Sequence, residues 1–392
     1  MFSSIGPSRP DPIMSLMEQY LADDCPHKVN LGIGLYYDGE GTLPLLNSVH
    51  EAQQRLMTQE RPHSYPPIEG QAQFREAVQR LIFGHSAQQT ALTTLQTLGG
   101  SGALRLGAEL LRQLGVCRIH LPDPTWPNHL AIFSVAGLTP ESYPWYDNAN
   151  GELLIDALLD RLATLPEGSV VLLHPACHNP TGMDPSPDQW RSILDTVERR
   201  RLLPFFDAAY QGFGAGIEQD IAPVRQALER GLPFLLSHSL SKNMALYGQR
   251  VGSLSLHCPD VAAINVLGTL KGLVRSSYSC PPTFGSDIAA TVLNDAALHQ
   301  CWRDETEAMR LRILAMRQRL ATELNANGAG LDIGRITRQR GMFSYTGLSE
   351  QQVDTLRQDF SIYLVNPGRI CVPGLTERNV DYVAASIASV TR

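Results

Sequence analysis

The chain has 392 residues, 43% of them hydrophobic and 18% charged, with 32 Lys+Arg against 39 Asp+Glu. That composition is globular, and a formal net charge of −7 without any basic run argues against a general nucleic-acid binder, which relies on clustered cations to neutralise phosphates. At roughly 100 to 200 residues per domain, the length implies two or three structural units. No stretch approaches the ~20 apolar residues of a membrane span. The opening MFSSIGPSRPDP places Pro and polar residues where a signal peptide needs an apolar core, so a cytoplasmic protein is expected. The seven cysteines (Cys25, Cys117, Cys177, Cys258, Cys280, Cys301 and Cys371) are odd in number, widely spaced and never arranged as CxxC. Reduced thiols are expected, not a disulfide framework or a zinc knuckle. Lysine is scarce: Lys28, Lys242 and Lys271 are the only three, and any lysine-based catalysis must choose among them.

In chain order, five short apolar runs bounded by Pro, Gly, Asp or Ser read as strands buried on both faces: CRIHL (117–121), VVLLH (170–174), LPFFD (203–207), PFLLS (233–237) and GSLSL (252–256). Helix-compatible stretches lie between most of them, such as 102–114 and 189–201, the latter after a Pro-rich start at 185–187. This alternation predicts an α/β unit with a mainly parallel sheet. From about Asp304 the pattern changes to a long Arg/Glu-rich helix, then GMFSY, a second helical pattern over 349–360 and an IYLV strand. That tail reads as a smaller α+β unit.

Ligands of open α/β sheets bind at the carboxyl ends of the strands. The residues following the runs are Asp123, Pro124 and Trp126; Asn179 and Pro180 in HNPTG; Asp207 with Tyr210; and Ser239, Ser241 and Lys242. Lys242 is either a solvated loop lysine or a Schiff-base amine that joins a carbonyl. Asp207 is either a cap or loop carboxylate or the group that keeps a cofactor's ring nitrogen protonated. Gly99, Gly100 and Ser101 precede a helix whose free N–H groups suit a phosphate, although such glycine-rich starts are common turns. Arg250 could add a fork of donors to the same phosphate or serve in a surface ion pair. His174 and His178 have helical metal-ligand spacing, but Pro175 and Pro180 preclude a helix there, and no metal is expected. Cys177 reads as a small buried residue, not a nucleophile.

With these residues in place, the chain resembles the fold-type I, class I aminotransferases of the aspartate/aromatic group, from about Pro12 to the C-terminus. The resemblance is carried in order by VNLGIGLYY, TLGGSGALR, DPTWPNH, HPACHNPTG, FFDAAYQGFG, SLSKNMALYGQRVG, VRSSYSCPP, QRGMFSYTGL and GRICVPGL. It implies a large domain with a mainly parallel seven-stranded sheet plus a smaller α+β domain. The expected partition is an N-terminal arm over 1–12, a small domain over 13–43 with 304–392, and a large cofactor-binding domain over 44–303. It also implies pyridoxal 5'-phosphate as cofactor. Lys242 matches the lysine that holds it and shuttles the substrate proton, and Asp207, supported by His129, matches the partner of its ring nitrogen. Asn179 and Tyr210 match the partners of its phenolate, and Trp126 the indole stacked on its ring. Gly100, Ser101, Ser239, Ser241 and Arg250 match its phosphate cup, joined by Tyr65 from a neighbouring subunit. Arg369 resembles the arginine that grips the substrate α-carboxylate, with Phe343 close by, and Gly34 sits where the family's small domain closes. The implied chemistry is ping-pong amino transfer by a homodimer with shared active sites. Asp123–Pro124 and Asn179–Pro180 are expected to be cis.

Arg275 matches the family arginine, contributed by the other subunit, that pairs with the distal carboxylate of aspartate, glutamate and 2-oxoglutarate. Leu35, Tyr37, Leu43 and Ser101 look like the aromatic branch, where larger apolar groups accommodate a phenyl or indole ring. The expected enzyme moves the amino group of an aromatic amino acid, and also of aspartate, to 2-oxoglutarate. An aspartate aminotransferase with weak aromatic activity is the alternative. Ser64 and Cys280 depart from both branches and bear on the detail of specificity. Two further readings stay open: a catalytically silent binding or regulatory module on the same fold, and a pyridoxal-phosphate decarboxylase or β-lyase.

Overall fold

The computed structural model describes residues 2, 6, 11–60, 62–84, 91–259, 261 and 263–392. Most of the expected N-terminal arm over 1–12 therefore lies outside the described residues. The chain divides into two compact units, residues 1–43 with 312–392, and residues 44–311. The second division falls inside one continuous helix, Ala296–Ala326, which also contains the change of composition near Asp304. A helix interior carries no local signal for a boundary, because the same 3.6-residue period continues across it.

The larger unit is organised by a seven-stranded sheet. Its strands in chain order are β1 (Leu92–Leu98), β2 (Arg118–Asp123), β3 (Thr139–Pro144), β4 (Val170–Leu173), β5 (Leu203–Ala208), β6 (Phe234–Ser239) and β7 (Val251–His257). They lie in the order β1-β7-β6-β5-β4-β2-β3. All neighbours are parallel except β7, which runs antiparallel to both β1 and β6. All five apolar runs of the sequence are strands. β1 and β3 were hidden for different reasons. β1 (LTTLQTL) buries polar side chains that find partners, with Thr94 bonded to Ser255 at 2.8 Å and Gln96 donating to the Pro282 carbonyl at 2.7 Å. β3 (TPESYP) is an edge strand with two prolines, where missing N–H groups are tolerated.

The runs look continuous because both sheet faces are covered. Val170 and Leu172 of β4 join a core with Phe205, Leu235 and Leu254. Val171 and Leu173, which point the other way, are also fully buried. Helix α1 (Gly99–Gln113) covers the first face with Ala103, Leu104, Leu106, Ala108, Leu110 and Leu111. It comes close because Gly107 lacks a side chain: a Cβ there would lie 2.4 Å from Phe205 Cζ.

The smaller unit is built from short pairings. Val29–Asn30 runs parallel to Ile362–Tyr363, and Phe343–Tyr345 pairs antiparallel with Arg369–Cys371. Helix Glu350–Phe360 begins at a capping box in which Ser349 and Gln352 exchange hydrogen bonds with each other's backbone. Asp123–Pro124 and Asn179–Pro180 are cis, as is Asn366–Pro367.

One contact ties the sheet to the start of α1. A Cβ on Gly252 of β7 would lie 2.5 Å from the Gly99 carbonyl carbon and 2.8 Å from the His238 carbonyl oxygen. Both are backbone, so neither can swing aside. Gly252→Ala is expected to destabilise the protein by about 1–3 kcal/mol. Urea denaturation checks this, and an unchanged midpoint would contradict the packing.

Candidate active site

The carboxyl ends of the central strands converge on one pocket of the larger unit. Gly100, Ser101, Trp126, Asn179, Asp207, Tyr210, Ser239, Ser241, Lys242 and Arg250 all line it, together with Leu104 and Ala209. Ten candidates from distant parts of the sequence are thus brought together by strand order alone.

Asp207 is the acidic member. The two-residue period of β5 puts it on the same face as Phe205, so the strand that anchors the core with Phe205 presents Asp207 one step later at its end. Only 8% of Asp207 is exposed. His129, on helix α2 (Pro127–Val135), places Nε2 3.2 Å from Asp207 Oδ2 and Nδ1 2.8 Å from Thr125 Oγ1. A carboxylate only accepts, so the neutral imidazole that satisfies both contacts carries its proton on Nε2 and accepts from the Thr125 hydroxyl. Burial pushes the Asp207 carboxyl up. The hydrogen bond from His129 and nearby positive charge, Lys242 included, outweigh burial and hold it below the usual carboxylate range. The Trp126 indole stands edge-on to His129 at 5.2 Å.

Behind this pair lies a row of rings. His174 is 5.3 Å from His129, His178 is 4.6 Å from His174, and Trp145 stacks on His178 at 4.6 Å. His174 Nδ1 accepts from the Asn179 backbone N–H at 3.2 Å, which fixes the segment that carries the Asn179 amide. His174 and His178 have a spacing that suits metal ligands only on a helix, which Pro175 and Pro180 preclude. The structure instead brings His174 beside His129 and Asp207, their ligand atoms all within 4.8 Å. In that cluster both His129 nitrogens already have partners, so it is a hydrogen-bonded support for Asp207.

On the opposite side of the pocket, Asn179 Nδ2 donates to the Tyr210 hydroxyl at 3.3 Å, and Lys242 Nζ lies 5.1 Å from the centre of the Tyr210 ring. Beyond Lys242 the chain turns back through Arg250, which adopts a left-handed backbone with φ 53°. The Arg250 carbonyl accepts from Gly99 N–H at 3.0 Å, and its guanidinium lies so close to Gly99 that a Cβ there would sit 2.7 Å from Nη2. Gly99 itself has φ 67°, a second reason for glycine. Ser239 Oγ accepts from the Ser241 N–H at 3.2 Å, and Ser237 donates to the Gly100 carbonyl at 3.2 Å. No side chain caps the first turn of α1. Its N–H groups, the Ser101, Ser239 and Ser241 hydroxyls and the Arg250 guanidinium form one positive, donor-rich cup.

The remaining candidates lie elsewhere. In the smaller unit the Arg369 guanidinium stacks 4.4 Å over the Phe343 ring and donates to the Gly32 carbonyl at 2.6 Å. Gly34 belongs to the same place, since a Cβ there would be 3.0 Å from Phe343 Cζ. On the larger unit, Tyr65 is 90% exposed and lines a separate cleft with Ser64, Tyr278 and Cys280. Arg275 lies in the last turn of helix Ala263–Ser277, is exposed and bonds to Ser279. Thr125, Gln211 and His238 are not marked as site residues by the sequence, and His174 is marked there only by its spacing to His178. They are polar residues inside otherwise apolar or loop segments, and only their side-chain partners reveal them.

The family model "Aminotransferase class I and II" matches residues 26–387. The chain belongs to this aminotransferase family. It is 48% identical over its whole length to the full-length aromatic-amino-acid aminotransferase of Escherichia coli. It is 42% identical over its whole length to an aspartate aminotransferase of Pseudomonas aeruginosa, covering 99% of that protein. Among solved structures, an aromatic-amino-acid aminotransferase from Burkholderia pseudomallei covalently bound to pyridoxal phosphate matches with a TM-score of 0.97 at 43% identity, each chain covered completely. Among the described residues, no helix is long and apolar enough to cross a membrane.

The buried histidines make stability depend on pH. Burial lowers His174 to about 3 and His238 to about 4, whereas the unfolded chain protonates near pH 6.5. Between those values the unfolded state binds more protons, so stability falls as pH drops from about 6.5 towards 4. The slope is on the order of 1 kcal/mol per pH unit for each histidine. Urea denaturation at several pH values should show this fall, made shallower by His174→Phe. An identical slope in the variant would contradict the assignment.

Proposed function

We propose that this chain is an aromatic-amino-acid aminotransferase that also accepts aspartate and uses 2-oxoglutarate as amino acceptor. The observation that carries the aromatic reading is the identity of 48% with an aromatic-amino-acid enzyme against 42% with an aspartate enzyme, both over the whole chain. Leu35, Tyr37, Leu43 and Ser101 support it, since they resemble the aromatic branch, where larger apolar groups and the lack of a lysine suit a phenyl or indole ring.

The residues present fit pyridoxal 5'-phosphate. The uncapped start of α1, the glycine-tight approach of Arg250 and the three serines suit a phosphate, and Asp207 is a buried carboxylate kept ionised. Gly100, Ser101, Ser239, Ser241 and Arg250 would hold the phosphate, joined by Tyr65. Trp126 would cover the ring face, Asn179 and Tyr210 would meet the phenolate, and Asp207 the ring nitrogen. When bound, the group supplies a conjugated ring that takes up the electron pair left by loss of the substrate Cα proton.

The chain's own residues then divide the work. Lys242 Nζ, 5.1 Å from the centre of the Tyr210 ring, takes the Cα proton and returns it. Asp207 would accept a hydrogen bond from the ring nitrogen of the cofactor and so keep a proton there. His129 prevents Asp207 from taking that proton itself. Asn179 Nδ2 donates to the Tyr210 hydroxyl, and the pair would hold the phenolate oxygen of the cofactor. Arg369, flattened against Phe343, presents a planar fork suited to a carboxylate in a bidentate pair. Arg275 would meet the distal carboxylate of a dicarboxylic substrate. Exposure of Tyr65 and Arg275 in the single chain supports a homodimer in which each copy completes its partner's site. A cytoplasmic location is part of the same proposal.

Lys242→Ala is expected to abolish turnover by at least a thousand-fold while leaving phosphate-cup binding intact. Absorbance of the purified protein with pyridoxal phosphate, recorded before and after separate additions of phenylalanine, tyrosine and aspartate, tests the substrate reading. Conversion at low aromatic concentration supports it; conversion by aspartate alone would make the chain an aspartate aminotransferase. Arg275→Leu should lower kcat/KM for aspartate at least a hundred-fold and that for phenylalanine less than ten-fold, as steady-state kinetics would show.

A further inference from the structure

Each of three pocket residues has a buried polar neighbour in sequence: Tyr210 is followed by Gln211, Ser239 is preceded by His238, and Lys242 is followed by Asn243. These neighbours meet one another. His238 Nε2 lies 2.8 Å from Gln211 Oε1, and Asn243 Nδ2 donates to the Gln211 carbonyl at 3.1 Å. Gln211 Nε2 in turn donates to the Ile217 carbonyl at 2.9 Å, closing the loop that follows Tyr210. The Asn243 carbonyl is pinned from outside by Trp302 Nε1 at 2.7 Å and by the Thr306 hydroxyl at 3.3 Å. Gln211, His238 and Asn243 are 2%, 0% and 1% exposed, so water does not compete for these bonds. An amide oxygen only accepts, and burial keeps His238 neutral, so His238 donates from Nε2.

The alternation of β6 gives the arrangement its sense. Ser237 and Ser239 face the phosphate cup, and His238 between them points through to the opposite face of the sheet. There it meets Gln211. Three chain segments that carry the phenol, the amine and a cup hydroxyl are therefore tied together on the side of the sheet away from the chemistry.

We propose that Gln211 is a positioning residue, whose amide and carbonyl join His238 and Asn243 and so set the mutual placement of Tyr210, Lys242 and Ser239. The proposal rests on the aminotransferase reading above. Gln211 touches neither cofactor nor substrate; it acts through its neighbours. Loss of the amide leaves the Gln211 carbonyl on Asn243 but frees the loop after Tyr210 from His238 and Ile217. The phenol should then drift relative to the cup and the amine, which costs far more in proton transfer than in binding.

The test uses Gln211→Met, close in volume but without the polar ends, and Gln211→Glu, which keeps an acceptor for His238. Each holoenzyme is compared with wild type in three readouts: the pH midpoint of the bound-cofactor absorbance, the dissociation constant for pyridoxal phosphate, and the kinetic isotope effect with α-deuterated phenylalanine. For Gln211→Met we expect the absorbance midpoint to move by at least about half a pH unit and kcat to fall about ten-fold. The isotope effect should rise, and KM should stay within two-fold. Gln211→Glu should recover most of the loss. A folded Gln211→Met with lower thermal stability but wild-type midpoint, isotope effect and cofactor affinity would overturn the proposal and leave Gln211 a packing residue. Should Gln211→Met fail to fold, His238→Phe removes the same bond from the other end and is read by the same criteria. Wild-type protein that binds no pyridoxal phosphate would overturn the aminotransferase reading, a result distinct from failure of the positioning role.

Discussion

A carboxylate that is 8% exposed and still ionised is the constraint around which the larger unit is arranged. Burying a charge without compensation is costly, and a carboxyl in an apolar site ordinarily neutralises instead. Asp207 avoids this because His129 Nε2 donates to it and Thr125 fixes the other imidazole nitrogen. The orientation of His129 depends on helix Pro127–Val135, and the rings of Trp126 and His174 pack against it. A buried ionic group of this kind adds little net stability. Its value lies in chemistry, because only an ionised Asp207 can keep a proton on a nitrogen opposite it.

Sheet polarity supplies the rest of the site. Four parallel strands end at the same rim, and each contributes a different function: β2 leads to Trp126 and His129, β4 to Asn179, β5 to Asp207 and Tyr210, and β6 to Ser239 and Lys242. The antiparallel β7 contributes by absence. Gly252 opens the space in which the Gly99 backbone lies, and Gly99 in turn admits the Arg250 guanidinium. Two missing side chains thus bring a helix start, a strand and a guanidinium within one phosphate's reach. Geometry of this kind is set by backbone approach, so it is rigid in a way that a cup of long side chains would not be.

The legible part of the sequence was the part governed by local physics. Apolar runs buried on both faces announce central strands, and residues just after them fall on the ligand rim by topology, which is why Asp207, Asn179 and Lys242 could be found without coordinates. β1 was not legible because its buried threonines and glutamine look exposed until Ser255 and Pro282 are known to face them. The change of composition near Asp304 falls in the same helix as the division of the chain, Ala296–Ala326, but a continuous helix does not mark the residue at which its neighbours change. Tyr65 and Arg275 show the limit of a single chain. Their residue types and family positions mark them, yet their own surroundings are an open cleft and a helix end.

The two faces of the sheet carry different kinds of information. The rim residues are chosen by what they must do to a ligand, and resemblance to a family finds them. His238, Gln211 and Asn243 sit on strands and loops as ordinary buried positions, and nothing in their spacing distinguishes them from core residues. Their identity as polar groups is nevertheless hard to explain by packing, since an apolar side chain of equal volume would avoid the cost of desolvation. A fully buried amide and imidazole are sustained only where the bonds between them fix something that apolar contact cannot. Apolar packing sets distance but tolerates rotation; a hydrogen bond sets both distance and direction. For a proton moved between an amine and a carbon, direction is the quantity that decides the rate.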